Sequence, residues 1–144
     1  MKWLTVATWN LEWATTGSHR GQQARSVLDE IDADILCLTE IYPDMLTNDH
    51  NTILADSDYG YERSDGRRKV ALWSRFGWTE VDQHGSVGMP GGRFVAARTN
   101  TDIGPLRIVG ICIPWAQAHV QTGRRESLPW AEHLAFLDGL HKYL

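Results

Sequence analysis

Apolar and polar positions in the first forty residues predict a strand, a helix and a second strand. Apolar runs predict strands over residues 4–10 and 34–40. Between them, apolar residues recur at helical spacing from His19 to Ile31, and Ser18 stands where an N-cap is expected. A strand, a crossover helix and a second strand typically form two parallel neighbours in one sheet.

Alternating apolar runs and turn signals predict further strands and one more helix. The predicted strands are 59–63, 70–74, 78–81, 93–99 and 106–113, the last two joined as a hairpin by a turn at 100–105. The polar segment 43–58 is left open between a short helix and a loop. A final helix over 129–143 has Pro129 in its first turn. The predicted apolar face of this helix consists of Trp130, Leu134, Leu137 and Leu140.

Each of the first two strands ends in a polar residue that a buried strand interior would not contain. Asn10 follows one apolar run and Glu40 follows the other. Because ligand sites in open α/β sheets lie beyond the carboxyl ends of the strands, we expect both side chains in one cleft, within about 8 Å of each other. A carboxylate beside an amide suits a hard cation such as Mg²⁺. The alternatives are a Glu40–Arg ion pair and a turn in which Asn10 bonds its own backbone.

These strand ends resemble the opening motifs of the endonuclease/exonuclease/phosphatase superfamily, which has the DNase I-like fold. TWNLEW and DADILCLTEI match its first two strands, which end in a Trp-Asn pair and in a Glu. Later segments resemble further family strands and the helix after them, in order: 70–75, 92–98, 106–114 and 125–140. The resemblance covers nearly the whole chain. It implies an α/β fold that is half of a four-layer α-β-β-α sandwich, with a mixed sheet and the helices on one face.

The family's later Gly-Asp-x-Asn motif and its closing Asp-His pair are absent from the 144 residues. In the family these groups position and activate the attacking water. We therefore expect residues 1–144 to be one domain, a fragment that carries the first half of the active site.

The resemblance implies a divalent-metal-dependent phosphoester hydrolase. Its cofactor would be Mg²⁺ or Mn²⁺, with Glu40 and Asn10 as metal ligands; Glu12 either adds a carboxylate or faces solvent. No catalytic residue is assigned, since the water-activating groups belong to the absent motifs, and the chain alone is expected to be inactive. The substrate stays open, because family members cut DNA, RNA, sphingomyelin and inositol phosphates. The alternative function is a catalytically inactive scaffold that binds a partner.

Composition limits the partners and the compartment. A net charge of −4 gives no overall positive surface for nucleic acid. Two basic runs, 67–69 and 124–125, are predicted to be solvated loop charges. Cys37 and Cys112 lie in apolar runs, which predicts buried free thiols in a reducing cytoplasm. No signal peptide is evident, and no apolar run approaches the ~18 residues of a membrane span.

Other candidate sites have weaker support. The spacing of His119, His133 and His141 fits no zinc framework. Cys37 is a weak candidate nucleophile because it lies mid-strand without a neighbouring His. The segment 85–92 contains four glycines but no Walker lysine, which predicts a loop.

The family's second sheet is expected to come largely from the absent half. Both helices should then cover one face of the sheet and leave the other face apolar and exposed. Such a face is unusual for a soluble monomer, so self-association through the uncovered sheet is expected.

Overall fold

The computed structural model describes residues 2–46, 49–62 and 65–144. Within these ranges it contains seven strands, two α-helices and two short 3₁₀ helices. In chain order they are β1 (Val6–Asn10), α1 (His19–Ile31), β2 (Ile35–Ile41), 3₁₀ turns at Pro43–Met45 and Asp49–Asn51, β3 (Thr52–Leu54), β4 (Arg68–Ser74), β5 (Thr79–Asp82), β6 (Phe94–Thr101), β7 (Gly104–Ile111) and α2 (Ala131–Tyr143). Within the same ranges, no helix is both long enough and apolar enough to cross a bilayer.

Helix α1 has the bounds that its apolar spacing predicted. The Ser18 hydroxyl accepts the Gly21 N–H at 3.0 Å and so caps the first turn. Asp32 ends the helix in the left-handed conformation, and its N–H donates to the Leu28 carbonyl. Local interactions therefore determine both ends of α1.

The strands form two sheets. The first is mixed, with the order β1-β2-β4-β3: β1 and β2 are parallel, and β4 is antiparallel to both β2 and β3. The second is antiparallel, with the order β5-β6-β7. The parallel β1–β2 pair and the mixed sheet confirm the predicted fold class.

The two sheets pack face to face. A buried cluster between them contains Ala55, Val70, Leu72 and Val95. The Ser74 and Thr99 hydroxyls are hydrogen-bonded across the interface at 2.8 Å, with both residues buried. A Cβ on Gly110 would lie 2.9 Å from the side chains of Val70 and Leu72, so the glycine allows the sheets to approach this closely.

Each helix covers the outer face of a different sheet, which corrects the expectation that both lie on one face. Ala24 and Leu28 of α1 share a buried cluster with Leu36 and Leu38 of β2. Phe136 of α2 packs instead in a cluster with β6 of the second sheet. The chain therefore contains all four α-β-β-α layers itself rather than half of them. The face of the first sheet that was expected to be uncovered packs at β4 against the second sheet, so that expectation is wrong. The cause is that β6 is apolar on both faces, so one face meets the first sheet and the other meets α2.

The inward face of α2 also differs from the prediction. Trp130, Leu134 and Leu137 are exposed to 54%, 60% and 39%, and Pro129 precedes the helix. The buried stripe contains Phe136 and Gly139, with Leu140 packed beside it. The sequence predicted that α2 is a helix but assigned the wrong face to the interior. The buried face is the one with the large Phe136 side chain and with Gly139, where a Cβ would lie 2.8 Å from Met89.

Three further segments differ from the prediction in detail. Residues 59–62 form no strand, and Arg63 lies outside the described residues. The 93–113 hairpin is confirmed, but Thr101 already pairs with Gly104, so its loop is shorter than predicted. The open segment 43–58 contains the two 3₁₀ turns and β3, and its residues 47–48 lie outside the described residues.

Candidate functional site

Strands β1 and β2 end side by side, as the sequence predicted. Asn10 lies opposite Thr39, and the Trp13 N–H donates to the Glu40 carbonyl at 2.9 Å. Strand β4 begins at the same end of the sheet, where Arg68 lies opposite Ile41. We call this end of the sandwich the mouth: residues 10–13, 39–42 and 67–69.

Glu40 adopts an unusual backbone conformation. Its φ is +51°, in the left-handed region that non-glycine residues rarely occupy. An undisturbed strand would place Ile41 on the face opposite Leu38, yet both residues lie in the cluster under α1. The backbone at Glu40 therefore breaks the alternation of β2. Strain of this kind costs about 1–3 kcal/mol and clusters at functional sites.

The Glu40 carboxylate is paired with a cation of the chain itself. Lys69 Nζ lies 2.9 Å from Glu40 Oε1, and the two side chains are only 12% and 23% exposed. The neighbouring pairs in the β2–β4 register place Lys69 directly opposite Glu40. The alternative of an ion-paired Glu40 is therefore observed, although the partner is a lysine rather than an arginine.

Aromatic rings hold the cations of the mouth. Lys69 Nζ lies 4.8 Å from the centre of the Trp13 ring, and the Arg67 guanidinium lies 4.9 Å from it. Trp13 stacks on Tyr59, and Arg67 Nε donates to the Tyr42 hydroxyl at 2.7 Å. The prediction of solvated charges at 67–69 is wrong for Arg67 and Lys69. Their spacing of two residues at a strand start, which places both on one face, was the signal available in the sequence.

Arg93 is a buried cation that the sequence analysis missed. It is 3% exposed, its Nε has no hydrogen-bond partner, and its Nη1 makes a long 3.4 Å contact with the Cys112 carbonyl. Among the residues that the structure describes, no carboxylate forms an ion pair with it. Burial raises the pKa of the Cys112 thiol, with the charges of Lys69 and Arg93 lowering it and that of Glu40 raising it. These three charges therefore lie near Cys112, and together they carry an excess of positive charge.

Asn10 and Glu12 show which alternatives the structure adopts. The Asn10 side-chain oxygen accepts the Glu12 N–H at 2.9 Å, so the predicted turn interaction is present. A carbonyl oxygen has a second lone pair, so this bond leaves one acceptor position on Asn10. The Glu12 side chain is 71% exposed and pairs with Arg20 at 3.4 Å. Of its two possible roles, Glu12 therefore has the solvent-facing one.

The donor set suits a partly hydrated hard cation. Within the described ranges, no group of three or more His, Cys, Asp or Glu side chains is placed to hold a metal. Glu40 and Asn10 supply oxygen, and Mg²⁺ often binds through one or two protein oxygens while keeping several waters. The Glu40 carboxylate is paired with the ammonium of Lys69.

The remaining candidates have structural roles in the described chain. Burial raises the pKa of the Cys37 thiol, which opposes a role as a nucleophile. His119 is 4% exposed, packs on the Tyr61 ring and lies 3.3 Å from Glu132. It joins the 114–126 connection to the start of α2.

Comparison with protein-family models gives one match. The model described as Endonuclease/Exonuclease/phosphatase family matches residues 7–142. No curated protein matches the sequence.

Several solved structures share the fold. The 3′ phosphatase NExo from Neisseria, solved with a product DNA hairpin, is 17% identical with a TM-score of 0.62, over 97% of this chain and 51% of that one. An endonuclease/exonuclease/phosphatase from Beutenbergia cavernae is 14% identical with a TM-score of 0.56, over 81% and 40%. A humanized D. rerio TDP2 is 16% identical with a TM-score of 0.53, over 82% and 52%. The chain thus spans about half the length of these proteins, and at such identities the likeness shows the fold alone.

Proposed function

Because the chain belongs to the endonuclease/exonuclease/phosphatase family, we propose that it binds a phosphoester through a divalent ion held at Glu40, with Asn10 beside it. The observation that carries the proposal is Glu40 itself. It is the residue before the last of β2 and has strained backbone, and its carboxylate pairs with the ammonium of Lys69 in a partly shielded site. Mg²⁺ and Mn²⁺ are the ions that suit this oxygen set.

A bound divalent ion supplies Lewis acidity, which polarises a phosphoryl oxygen and stabilises developing negative charge. The chain's own residues bind the ion and orient the phosphate group. Glu40 fixes the position of the ion, and Arg93 and Lys69 add positive charge that favours a phosphate group at the mouth. Trp13, stacked on Tyr59, lies against the Lys69 ammonium beside Glu40.

No residue of the chain is proposed as the group that activates water. In the proposed function, phosphoester hydrolysis by the isolated 144 residues is absent or slow, since a missing general base typically costs factors of 10²–10⁴. A catalytically inactive scaffold that binds a partner is the second candidate, and the pairing of Glu40 with Lys69 rather than with a metal is the observation that favours it. Nucleic acid is a candidate substrate because NExo was solved with DNA; the net charge of −4 favours a smaller phosphoester.

Metal binding and hydrolysis, measured separately, test the proposal. Titration of the chain with Mn²⁺, followed by electron paramagnetic resonance of the free ion, should show a saturable site that Glu40→Gln removes. Glu126→Gln, at an exposed position, is the matched control and should leave the site intact. Saturable binding in Glu40→Gln would refute the metal role of Glu40.

Hydrolysis then separates the two candidates. A generic phosphodiester should be cleaved, if at all, only with a divalent ion and never in EDTA. Metal binding without any hydrolysis would favour the scaffold, while hydrolysis in EDTA would contradict the metal-dependent mechanism.

Self-association stays a proposal, but through the edge strand β1, because the sheet face that was expected to be uncovered packs against the second sheet. β1 lies at an edge of the first sheet, and its Val6 and Trp9 side chains are exposed to 57% and 38%. Unpaired edge strands commonly recruit another chain. Sedimentation should show a concentration-dependent dimer that Val6→Lys reduces. A cytoplasmic location also stays a proposal, supported by two free thiols.

A further inference from the structure

We propose that Lys69 is a built-in competitor of the metal: its ammonium occupies the Glu40 carboxylate in the metal-free protein, and a divalent cation binds by displacing it. The inference rests on the proposed metal role of Glu40. It assigns to Lys69 the control of metal affinity.

The geometry of the Glu40–Lys69 pair supports competition. The ammonium lies 2.9 Å from Glu40 Oε1, at hydrogen-bond distance. A divalent ion would need to approach a carboxylate oxygen to about 2.0–2.1 Å. Even on the other carboxylate oxygen, the ion would be a close neighbour of the ammonium, and like charges repel most where water is partly excluded. With 12% and 23% exposure, this pair lies in such a place.

Lys69 contacts two aromatic rings in the same conformation in which it pairs with Glu40. Its Nζ lies 4.8 Å from the ring centre of Trp13 and 5.5 Å from that of Tyr59. Aromatic faces attract an ammonium, so the displaced cation keeps favourable contacts. The two rings that make these contacts are stacked on each other.

The backbone at the mouth is strained at three residues around this pair. Glu40, Glu12 and Trp13 all have positive φ, at +51°, +47° and +61°. The strained turn at Glu12 and Trp13 places the indole against Lys69, while the strain at Glu40 presents its carboxylate to the same ammonium. The strained residues thus converge on one ion pair, and strain is typically retained where a site requires it.

With competition, the apparent metal affinity is the intrinsic affinity multiplied by the fraction of molecules in which Glu40 is free. Removing the ammonium should therefore tighten binding, whereas loss of a residue that merely positions Glu40 should weaken it. The sign of the change distinguishes the two roles.

The experiment measures Mn²⁺ binding to the 144-residue chain by electron paramagnetic resonance. Lys69→Met keeps the length of the side chain and removes its charge, and it should bind Mn²⁺ about tenfold more tightly than the wild type. Lys69→Arg keeps the charge and should stay close to the wild type. Lys142→Met is the matched control, because it breaks an exposed pair with Asp138, and its affinity should be unchanged.

A second readout uses thermal unfolding. In EDTA, Lys69→Met should unfold at a lower temperature than the wild type, because Glu40 loses its partner. Mn²⁺ should then raise its midpoint by more than it raises that of the wild type. Lys69→Gln serves the same purpose if the Met variant does not fold.

Three outcomes would overturn the inference. Equal or weaker Mn²⁺ binding in Lys69→Met would refute competition while leaving the metal role of Glu40 intact. Equal tightening in Lys69→Arg would show that size rather than charge matters. Absence of saturable binding in every variant, the wild type included, would refute both this inference and the proposed metal site.

Discussion

The hydrogen bond between Ser74 and Thr99 offers a direct test of whether this chain closes a core between its two sheets. The bond joins β4 to β6 at 2.8 Å, and the residues are 0% and 1% exposed. Thr99→Val keeps the shape of the side chain and removes the hydroxyl. The variant loses a hydrogen bond and leaves the Ser74 hydroxyl without that partner, so the free energy of unfolding should fall by about 1–3 kcal/mol.

The double variant separates the bond from the desolvation of its two hydroxyls. Ser74→Ala alone also removes the acceptor of the Phe76 N–H, so its cost should be at least as large as that of Thr99→Val. Combining Ser74→Ala with Thr99→Val removes both hydroxyls, so neither one is left buried without its partner. The double variant should therefore lose about 1–2 kcal/mol less than the sum of the two single losses.

Urea unfolding monitored by tryptophan fluorescence and far-ultraviolet circular dichroism measures these free energies. Thr79→Val, at an exposed position on β5, is the matched control and should change stability by less than about 0.5 kcal/mol. If Thr99→Val costs no more than the control, the hydroxyls are hydrated and the sheets are not closed there. Additivity within about 0.5 kcal/mol would show that the two hydroxyls are not coupled.

Three further predictions follow from burial and charge. Gly110→Val should destabilise the protein by about 1–3 kcal/mol through overpacking between the sheets, measured by urea unfolding; a neutral variant would mean that the sheets can separate there. Burial raises the pKa of both thiols, so iodoacetamide at pH 8 should alkylate Cys37 and Cys112 more slowly in the folded than in the urea-unfolded chain, as followed by mass spectrometry; equal rates would contradict their burial. The hydrogen bond from the Thr5 N–H, together with Arg75, lowers the pKa of Asp34. The Asp34 carboxylate therefore contributes fully to stability above its unfolded pKa of about 3.9, and the contribution is lost as the pH falls through the lower folded pKa. Asp34→Asn should lose stability at pH 6 and little at pH 2, and an equal loss at both pH values would refute the linkage.

The sequence by itself determined the parts of this protein that depend on neighbours along the chain. The bounds of α1 follow from helical periodicity, the Ser18 cap and the left-handed Asp32, all of which act within one or two turns. The parallel pairing of β1 and β2 follows from the crossover between them. The positions of Asn10 and Glu40 at adjacent strand ends follow in turn from that pairing.

Only the tertiary structure decided which faces meet and which charges are paired. Phe136 rather than Leu134 faces inward because the phase of α2 depends on its fit against the second sheet and Met89. Lys69 belongs to the mouth because β4 lies beside β2. Arg93 precedes β6 and lies beside the end of β7, where the Cys112 N–H donates to the Arg93 carbonyl. These contacts join residues far apart in the chain, and their energies come from burial and from charges in shielded surroundings. Local periodicity can place residues on one face, as it does Arg67 and Lys69, but it does not show what that face meets. A run of basic residues that resembled a solvated loop therefore became part of the candidate site.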